Sequence, residues 1–138
     1  MTITKHAALL LMTLVGFAGM VSAQESTTIK AQVPFDFVAS GKTMPAGECT
    51  IAVDVNGRTL LSISSGEQRT VALPIADKSA RARQKTALVF HHYGDRYFLV
   101  AIEHEGGTGY KLPPNRSERE LLAQDVPWQE FTLLASGN

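Results

Sequence analysis

The middle of the chain contains two apolar runs that predict one long β-hairpin. Residues 88–93 and 97–102 are separated by Gly94-Asp95, a dipeptide that favours a tight turn between paired strands. β-Branched and aromatic residues dominate both runs, and no stripe of helical period separates apolar from polar positions. Because apolar residues occupy both faces, we expect the hairpin to lie centrally and to be covered on each side.

Ahead of the hairpin, shorter segments alternate apolar and polar positions, as half-buried strands do. The clearest is residues 28–38, where Pro34 lacks an N–H and therefore predicts an edge position or a bulge. Residues 48–54 and 69–75 predict two further strands. In the second of these, the residues expected to share one face are Val71, Leu73 and Ile75.

A turn at Asn56-Gly57 follows the strand 48–54, and the length of this turn fixes the register of the next strand. A two-residue turn would place Val55 opposite Arg58 and mix polar with apolar side chains on both faces. A three-residue loop, Val55-Asn56-Gly57 with Gly57 left-handed, keeps one face apolar. We therefore predict the longer loop, with the opposed pairs Ile51 and Leu61, Cys49 and Ile63, and Asp54 and Arg58.

The C-terminal part predicts one short helix. Pro113-Pro114 ends any strand ladder before it, and a capping box marks its start. The candidates for the cap and its partner three residues later are Asn115 or Ser117, and Glu118 or Glu120. Leu121 and Leu122 are expected to dock the helix on a sheet face.

Residues 128–134 predict a last strand with Phe131 and Leu133 directed inward. Turn signals recur at the spacing typical of antiparallel all-β domains. The pattern therefore predicts an all-β fold: an antiparallel β-sandwich or small barrel of about seven strands with one short C-terminal helix. Residues 24–138 form one domain in this interpretation.

The N-terminus has the features of a secretory signal peptide over residues 1–23. Lys5 supplies the positive charge, residues 7–20 are apolar, and Val21-Ser22-Ala23 offers the small residues that signal peptidase accepts before Gln24. The apolar stretch is short for a membrane span, although a retained anchor is the alternative. We expect an exported protein, periplasmic or extracellular, without a membrane span in the mature chain.

The charge balance and the single cysteine limit the classes of partner that the chain is expected to bind. The chain has 13 basic and 13 acidic residues, so loss of Lys5 with the leader leaves one acidic residue in excess. This balance argues against nucleic acid or an anionic membrane as the general partner. Cys49 is the only cysteine, and its alternating neighbours favour a buried thiol over an intermolecular bond.

Residues 77–85 carry four basic side chains and no apolar side chain larger than alanine. One interpretation is a patch that binds an anion or a polysaccharide. The favoured interpretation is a solvated loop whose charges discourage aggregation of the apolar run that follows, since no aromatic residue interrupts the charges.

The one constellation that suggests metal binding consists of His91, His92, Glu103, His104 and Glu105. Neighbours on a strand point to opposite faces, and the hairpin register places His91 opposite Phe98, far from His104. Closed metal sites need three or four converging ligands. The residue pattern therefore predicts no catalytic, cofactor-binding or metal-binding residue and no cofactor. Cys49 has no histidine near it in sequence and no nucleophile elbow is present.

Several short motifs resemble a family of small secreted β-rich proteins of soil bacteria. They are Val33-Pro34-Phe35-Asp36-Phe37, Met44-Pro45-Ala46-Gly47, Leu88-Val89-Phe90 and Tyr97-Phe98-Leu99, with a looser match at Leu112-Pro113 and Ser117-Glu118-Arg119. The motifs span most of the chain after the leader and consist of core and turn residues. Cys49 departs from the pattern, in which a tyrosine is expected. The resemblance implies the fold and export, and it implies nothing about chemistry.

Two functions fit these observations. The first is an exported, non-enzymatic β module that binds a protein or an envelope or extracellular polymer, with the Pro34 strand as an exposed edge for strand addition. The second is a small ligand-binding or hydrolytic protein whose site is assembled across loops. A pocket of a few hundred Å³ with converging polar groups is expected only for the second.

Overall fold

The structure is a computed structural model that describes residues 27–137. The leader predicted over residues 1–23 lies outside these residues. Along the described chain, no helix has the length and apolar character needed to cross a lipid bilayer.

Residues 27–137 form twelve strands and one helix. In chain order these are β1 (Thr27–Val33), β2 (Phe37–Ala39), β3 (Lys42–Met44), β4 (Gly47–Val55), β5 (Thr59–Ser65), β6 (Gln68–Ala72), β7 (Ile75–Asp77), β8 (Ala87–Tyr93), β9 (Arg96–Glu103), β10 (Gly109–Lys111), α1 (Arg116–Ala123), β11 (Gln129–Leu134) and β12 (Ser136–Gly137). The predicted all-β class with one short C-terminal helix is confirmed. The strands outnumber the predicted seven or so because five of them have only two or three residues.

The strands form two sheets that share one hydrophobic core. The first sheet has the order β12-β1-β4-β5-β6, and the second has the order β11-β8-β9-β10-β7. In the second sheet β2 also pairs with β9, in parallel at Val38 and Phe98, and β3 pairs with β2. The C-terminal strands cross between the sheets through Ala135, whose N–H donates to the carbonyl of Thr86 at 2.8 Å.

The core consists of the inner faces of both sheets. Side chains with almost no solvent exposure come from the first sheet (Ile29, Ile51, Leu61, Ile63) and from the second (Phe37, Leu88, Phe90, Ile102). Cys49 belongs to this core with 0% exposure, which confirms the buried thiol, and burial raises its pKa to about 11.

The central hairpin has the predicted position and turn. β8 and β9 lie inside the second sheet, with Tyr93 opposite Arg96 across Gly94-Asp95 and His91 opposite Phe98. Gly94 adopts a φ of 59°, a conformation that glycine tolerates without steric cost. The register shifts between Val89 and Phe90, so that one residue of β9 is left over as a β-bulge.

The single strand predicted over residues 28–38 is wrong, because β1 ends at Val33 and β2 begins at Phe37. Pro34 therefore lies in the link between two strands and not at an edge or a bulge. Proline cannot donate to a ladder, and the break lets the chain cross from the first sheet to the second. Asp36 stabilises the link by accepting a hydrogen bond from the N–H of Ala46 at 2.8 Å.

The predicted pairing of Ile51 with Leu61, Cys49 with Ile63 and Asp54 with Arg58 is also wrong. The structure pairs Ile51 with Ile63, Cys49 with Ser65 and Val55 with Thr59. The loop has three residues, as predicted, but it is Asn56-Gly57-Arg58, with Gly57 at a φ of 73°. The two registers differ by two residues and bury the same side chains, so the hydrophobic pattern cannot separate them.

The strand predicted over residues 69–75 is interrupted at Leu73-Pro74, where the chain leaves β6 for β7 in the other sheet. Ala72 is buried, whereas the three residues expected to share one face (Val71, Leu73 and Ile75) all lie exposed. Proline ends the ladder here for the same reason as at Pro34.

Phe131 lies opposite the core residue Phe90 in the β11–β8 register, as an inward residue should, but it keeps 38% of its surface exposed. Its ring contacts Phe35 edge-on at 5.3 Å and Tyr97 at 6.1 Å between centroids. Tyr97 in turn stacks on Phe35 at 3.6 Å. Leu133 is half-buried against the core.

Candidate functional site

A cleft of about 360 Å³ lies on the face of the second sheet that is turned away from the core. Val89 and His91 belong to this outer face, because their neighbours Leu88 and Phe90 point into the core. We call it the α1 cleft. Its lining consists of Ile75, Val89, His91, Val100, Ala101, Glu103, Lys111, Leu112, Pro113, Pro114, Glu118, Leu122 and Glu130.

The β-bulge of the hairpin shapes the floor of the α1 cleft. Val89 pairs with Ala101 and Phe90 with Leu99, so Val100 is the extra residue of β9. Val100 and Ala101 consequently both line the cleft, where regular alternation would present only one of them. The carbonyl of Val100 accepts a hydrogen bond from the N–H of Leu112 at 2.8 Å, which positions the wall at Pro113-Pro114.

The helix α1 closes the cleft and begins where the sequence predicts. Asn115 is the N-cap, and its side chain accepts a hydrogen bond from the N–H of Glu118 at 2.8 Å. Ser117, the other candidate cap, lies within the helix. The predicted capping box is only half formed, because the Glu118 side chain turns toward the sheet.

Glu118 is the buried residue of α1, and Leu121 and Leu122, which were predicted to dock the helix, are only partly buried. Glu118 is 3% exposed, whereas Leu122 is 40% exposed and Leu121 is only half-buried. Leu121 and Leu122 follow Glu118 by three and four positions, so they lie on the same side of the helix, and Leu122 lines the α1 cleft while it stays partly exposed. The contact between α1 and the sheet is therefore centred on a buried carboxylate.

Two side chains of β8 contact this carboxylate, and a third side chain stacks on one of them. The Tyr93 hydroxyl donates a hydrogen bond to Oε1 of Glu118 at 3.1 Å, and His91 Nδ1 lies 3.0 Å from the same oxygen. Trp128 stacks on the His91 ring with 3.9 Å between centroids. Burial, followed by the nearby Glu118 charge and the hydrogen bond, raises the pKa of Tyr93 to about 12.

Both of these contacts use Oε1. In the part of the chain that the structure describes, Oε2 of Glu118 accepts no side-chain or backbone hydrogen bond. The single fully enclosed side-chain nitrogen or oxygen without a partner among these residues is Nη2 of Arg83, so Oε2 is not fully enclosed, and Glu118 is one of the residues that line the cleft.

The other carboxylates of the cleft are neutralised by arginines of the basic segment 77–85. Arg83 pairs with Glu103, and Arg81 pairs with Glu130 at 3.1 Å. The expectation of a freely solvated loop is therefore wrong for Arg83, whose side chain is largely buried. The alternative anion-binding patch also loses two of its four cations to these internal pairs.

The histidines of the predicted constellation are separated as the strand geometry requires. His92 lies on the face opposite to His91 and stacks on Tyr97 at 3.9 Å between centroids. His104 lies beyond the end of β9 with its ring edge-on to Tyr110, and burial lowers its pKa. Among residues 27–137, no three His, Cys, Asp or Glu side chains are grouped so that they could hold a metal ion.

The sequence did not predict one cluster of side chains, which consists of Tyr93, His91, Glu118 and Trp128. Glu118 had a sufficient local explanation as a capping-box residue, and its partners are 25 and 27 positions away. The one local signal was the spacing of His91 and Tyr93, which places two polar aromatic residues on the same strand face.

Comparison of the chain with protein-family models, curated proteins and solved structures found no match. The resemblance to secreted β-rich proteins of soil bacteria stays a prediction.

Proposed function

We propose that this chain is an exported, non-enzymatic binding module whose ligand site is the α1 cleft. The observation that carries the proposal is a concave, mainly apolar surface onto which a buried carboxylate opens. Small-molecule sites are typically clefts of a few hundred Å³ with apolar walls and a few placed polar groups.

The way in which α1 is docked supports a binding role. Burying a carboxylate costs several kcal/mol unless it is well paired, whereas burying a leucine stabilises by about 2 kcal/mol. The helix offers Leu121 and Leu122 but buries Glu118. A buried ionisable group in a cleft, at a position where an apolar side chain would stabilise the fold more, is a candidate for a functional residue.

Trp128 gives a direct test, because it is the only tryptophan of the chain and stacks on His91 beside the cleft. A library of small organic fragments would be titrated into the purified protein, with Trp128 fluorescence and NMR shifts of Val89 and Val100 as readouts. We expect at least one fragment class to perturb these signals together and to lose affinity in Glu118→Gln.

Glu120→Gln is the matched control, since Glu120 lies on the same helix and its side chain is 59% exposed beside Arg116. Binding that is unchanged in Glu118→Gln, or fragments that perturb only signals away from the cleft, would contradict the proposal.

A second candidate function is the binding of a protein partner by strand addition at β11. The first sheet offers less for this, because the outward carbonyls of Arg69 and Val71 on its edge strand accept hydrogen bonds from Lys42 and Ser40. Within residues 27–137, β11 has a single ladder neighbour, β8. An added strand would find its other edge available.

The register identifies the backbone groups at that edge. Ala135 donates to Thr86, and inward bonds alternate along an antiparallel pair, so Thr132 directs its N–H away from β8. Thr132→Pro should abolish partner capture from an envelope extract and leave the fold intact, while Thr132→Val should retain capture. Equal capture by both variants, or no captured partner with the unaltered protein, would rule this candidate out.

A further inference from the structure

Among the carboxylates that line the α1 cleft, Glu118 is the one whose bonded partners include no lysine or arginine of the described residues. Glu103 and Glu130 pair with arginines, and Lys111 pairs with Asp77 at 3.3 Å. Among residues 27–137 the side chains bonded to Glu118 are the Tyr93 hydroxyl and the His91 imidazole. Glu118 thus differs from Glu103 and Glu130 in having an imidazole and a phenol as partners in place of a guanidinium.

Only one of the two oxygens of the Glu118 carboxylate has hydrogen-bond partners among the described residues. Oε1 has both hydrogen-bond partners, and Oε2 has none while the side chain is only 4% exposed. A carboxylate oxygen buried in apolar surroundings forms its strongest hydrogen bonds with charged donors. Oε2 would therefore form its strongest hydrogen bond with an N–H donor that carries a positive charge.

The remaining surface of the cleft is apolar and small. Val89, Val100, Leu112 and Pro113 supply apolar walls near Glu118. The volume of about 360 Å³ equals about a dozen water-sized volumes of about 30 Å³ each. Such a space accommodates a compact molecule and not a folded partner.

We infer that the α1 cleft binds a small organic cation, an amine with a compact apolar body, whose ammonium group donates a hydrogen bond to Oε2 of Glu118. The inference rests on the proposed function of the cleft and specifies the class of ligand. His91 contacts the same carboxylate and is stacked on Trp128, and aromatic faces add attraction for an ammonium group.

Three probes of similar shape separate charge from shape: cyclohexylmethylamine, cyclohexylmethanol and cyclohexanecarboxylate. Each would be titrated at pH 7.5 against the unaltered protein, Glu118→Gln and Glu120→Gln, with Trp128 fluorescence and the NMR shifts of Val89 and Val100 as readouts. We expect the amine to bind roughly tenfold or more tightly than the alcohol, and the carboxylate to bind weakest.

Glu118→Gln should remove the preference for the amine and Glu120→Gln should keep it. Should Glu118→Gln fail to fold, the order of the three probes on the unaltered protein still decides. An alcohol that binds as tightly as the amine, a preference for the carboxylate, or a preference that survives Glu118→Gln overturns the inference.

The failure of the inference and the failure of the proposed function remain distinguishable. Perturbation of the cleft signals by the alcohol or by neutral library fragments, without a preference for the amine, overturns the cation and leaves the cleft as a ligand site. An absence of any cleft ligand in both experiments overturns both.

Discussion

At the scale of single residues, Glu118 decides how the helix meets the sheet. It is the third residue of α1, where acidic residues interact favourably with the helix dipole, and its own N–H is bonded to the Asn115 cap. Its carboxylate instead leaves the helix end for Tyr93 and His91. One residue thus stabilises the helix start through its backbone and joins two elements through its side chain.

The buried contact of Tyr93 predicts a loss of stability at high pH. Its pKa is raised to about 12 from an unfolded value of about 10, so its contribution is complete below pH 10 and disappears as the pH rises through 12. The shift corresponds to about 2–3 kcal/mol. Urea unfolding between pH 9 and 12 should show a smaller decrease in Tyr93→Phe than in the unaltered protein.

Tyr97→Phe is the control for this experiment. Tyr97 is half-buried against the core, and its described contacts include no carboxylate. A decrease between pH 10 and 12 that Tyr93→Phe does not reduce would contradict the assigned role of Tyr93.

Cys49 is the other residue with a predictable chemical behaviour. Because it is fully buried and its pKa is about 11, a thiol reagent at pH 8 should modify the folded protein only as fast as the protein unfolds. Labelling with Ellman's reagent, with and without urea, measures this difference. Rapid labelling in native buffer, or a disulfide-linked dimer on a non-reducing gel, would be inconsistent with the buried thiol.

At the scale of elements, α1 is short and attached mainly through one buried side chain. Eight residues form too few hydrogen bonds to be stable alone in water, so the cap and the tertiary contact both matter. The same helix closes the α1 cleft, and so the stability of this element controls the shape of the site.

The cap gives a test at this scale, because the sequence offered two candidates and the structure selects one. Asn115→Ala removes the side chain that accepts from the Glu118 N–H and should lower the free energy of unfolding by about 1 kcal/mol. Ser117→Ala should change it by less than about 0.5 kcal/mol. Urea unfolding monitored by Trp128 fluorescence measures both, and a larger effect of Ser117→Ala would reassign the cap.

At the scale of the whole molecule, the two sheets are joined through one core and through chain segments that pass from one sheet to the other. Pro34, Pro74 and Ala135 lie at three of these crossings. Phe90 lies in the second sheet at the centre of the core, with its ring edge-on to Phe35 at 5.1 Å and to Phe37 at 5.5 Å.

Truncation of Phe90 should therefore destabilise the molecule as a whole. Phe90→Ala is expected to cost about 3–5 kcal/mol through lost burial and a residual cavity. Phe131 contacts the same Phe35 ring but is partly exposed. Phe131→Ala should therefore lower the free energy of unfolding by about 2 kcal/mol or less. Calorimetry with both variants checks the difference, and equal costs would show that the core does not extend as described.

How far the sequence predicted the fold depends on the kind of pattern. The central hairpin and its turn were predicted because β-periodicity and Gly94-Asp95 agree with each other locally. The register between β4 and β5 across Asn56-Gly57 was not predicted correctly, because registers two residues apart bury the same face. The crossings at Pro34 and Pro74 were missed because a proline in an alternating segment signals a break without stating where the chain goes next.

The sequence by itself determined the all-β class, the central hairpin, the buried Cys49 and a helix start at Asn115 or Ser117, because each depends on neighbours within a few positions. Only the tertiary structure decided the α1 cleft. Glu118 meets Tyr93 and His91 across 25 and 27 residues, and the bulge at Val100 shapes the floor between them. The physical reason is that a buried carboxylate is defined by the partners that surround it, and those partners come together only when the helix folds onto the sheet.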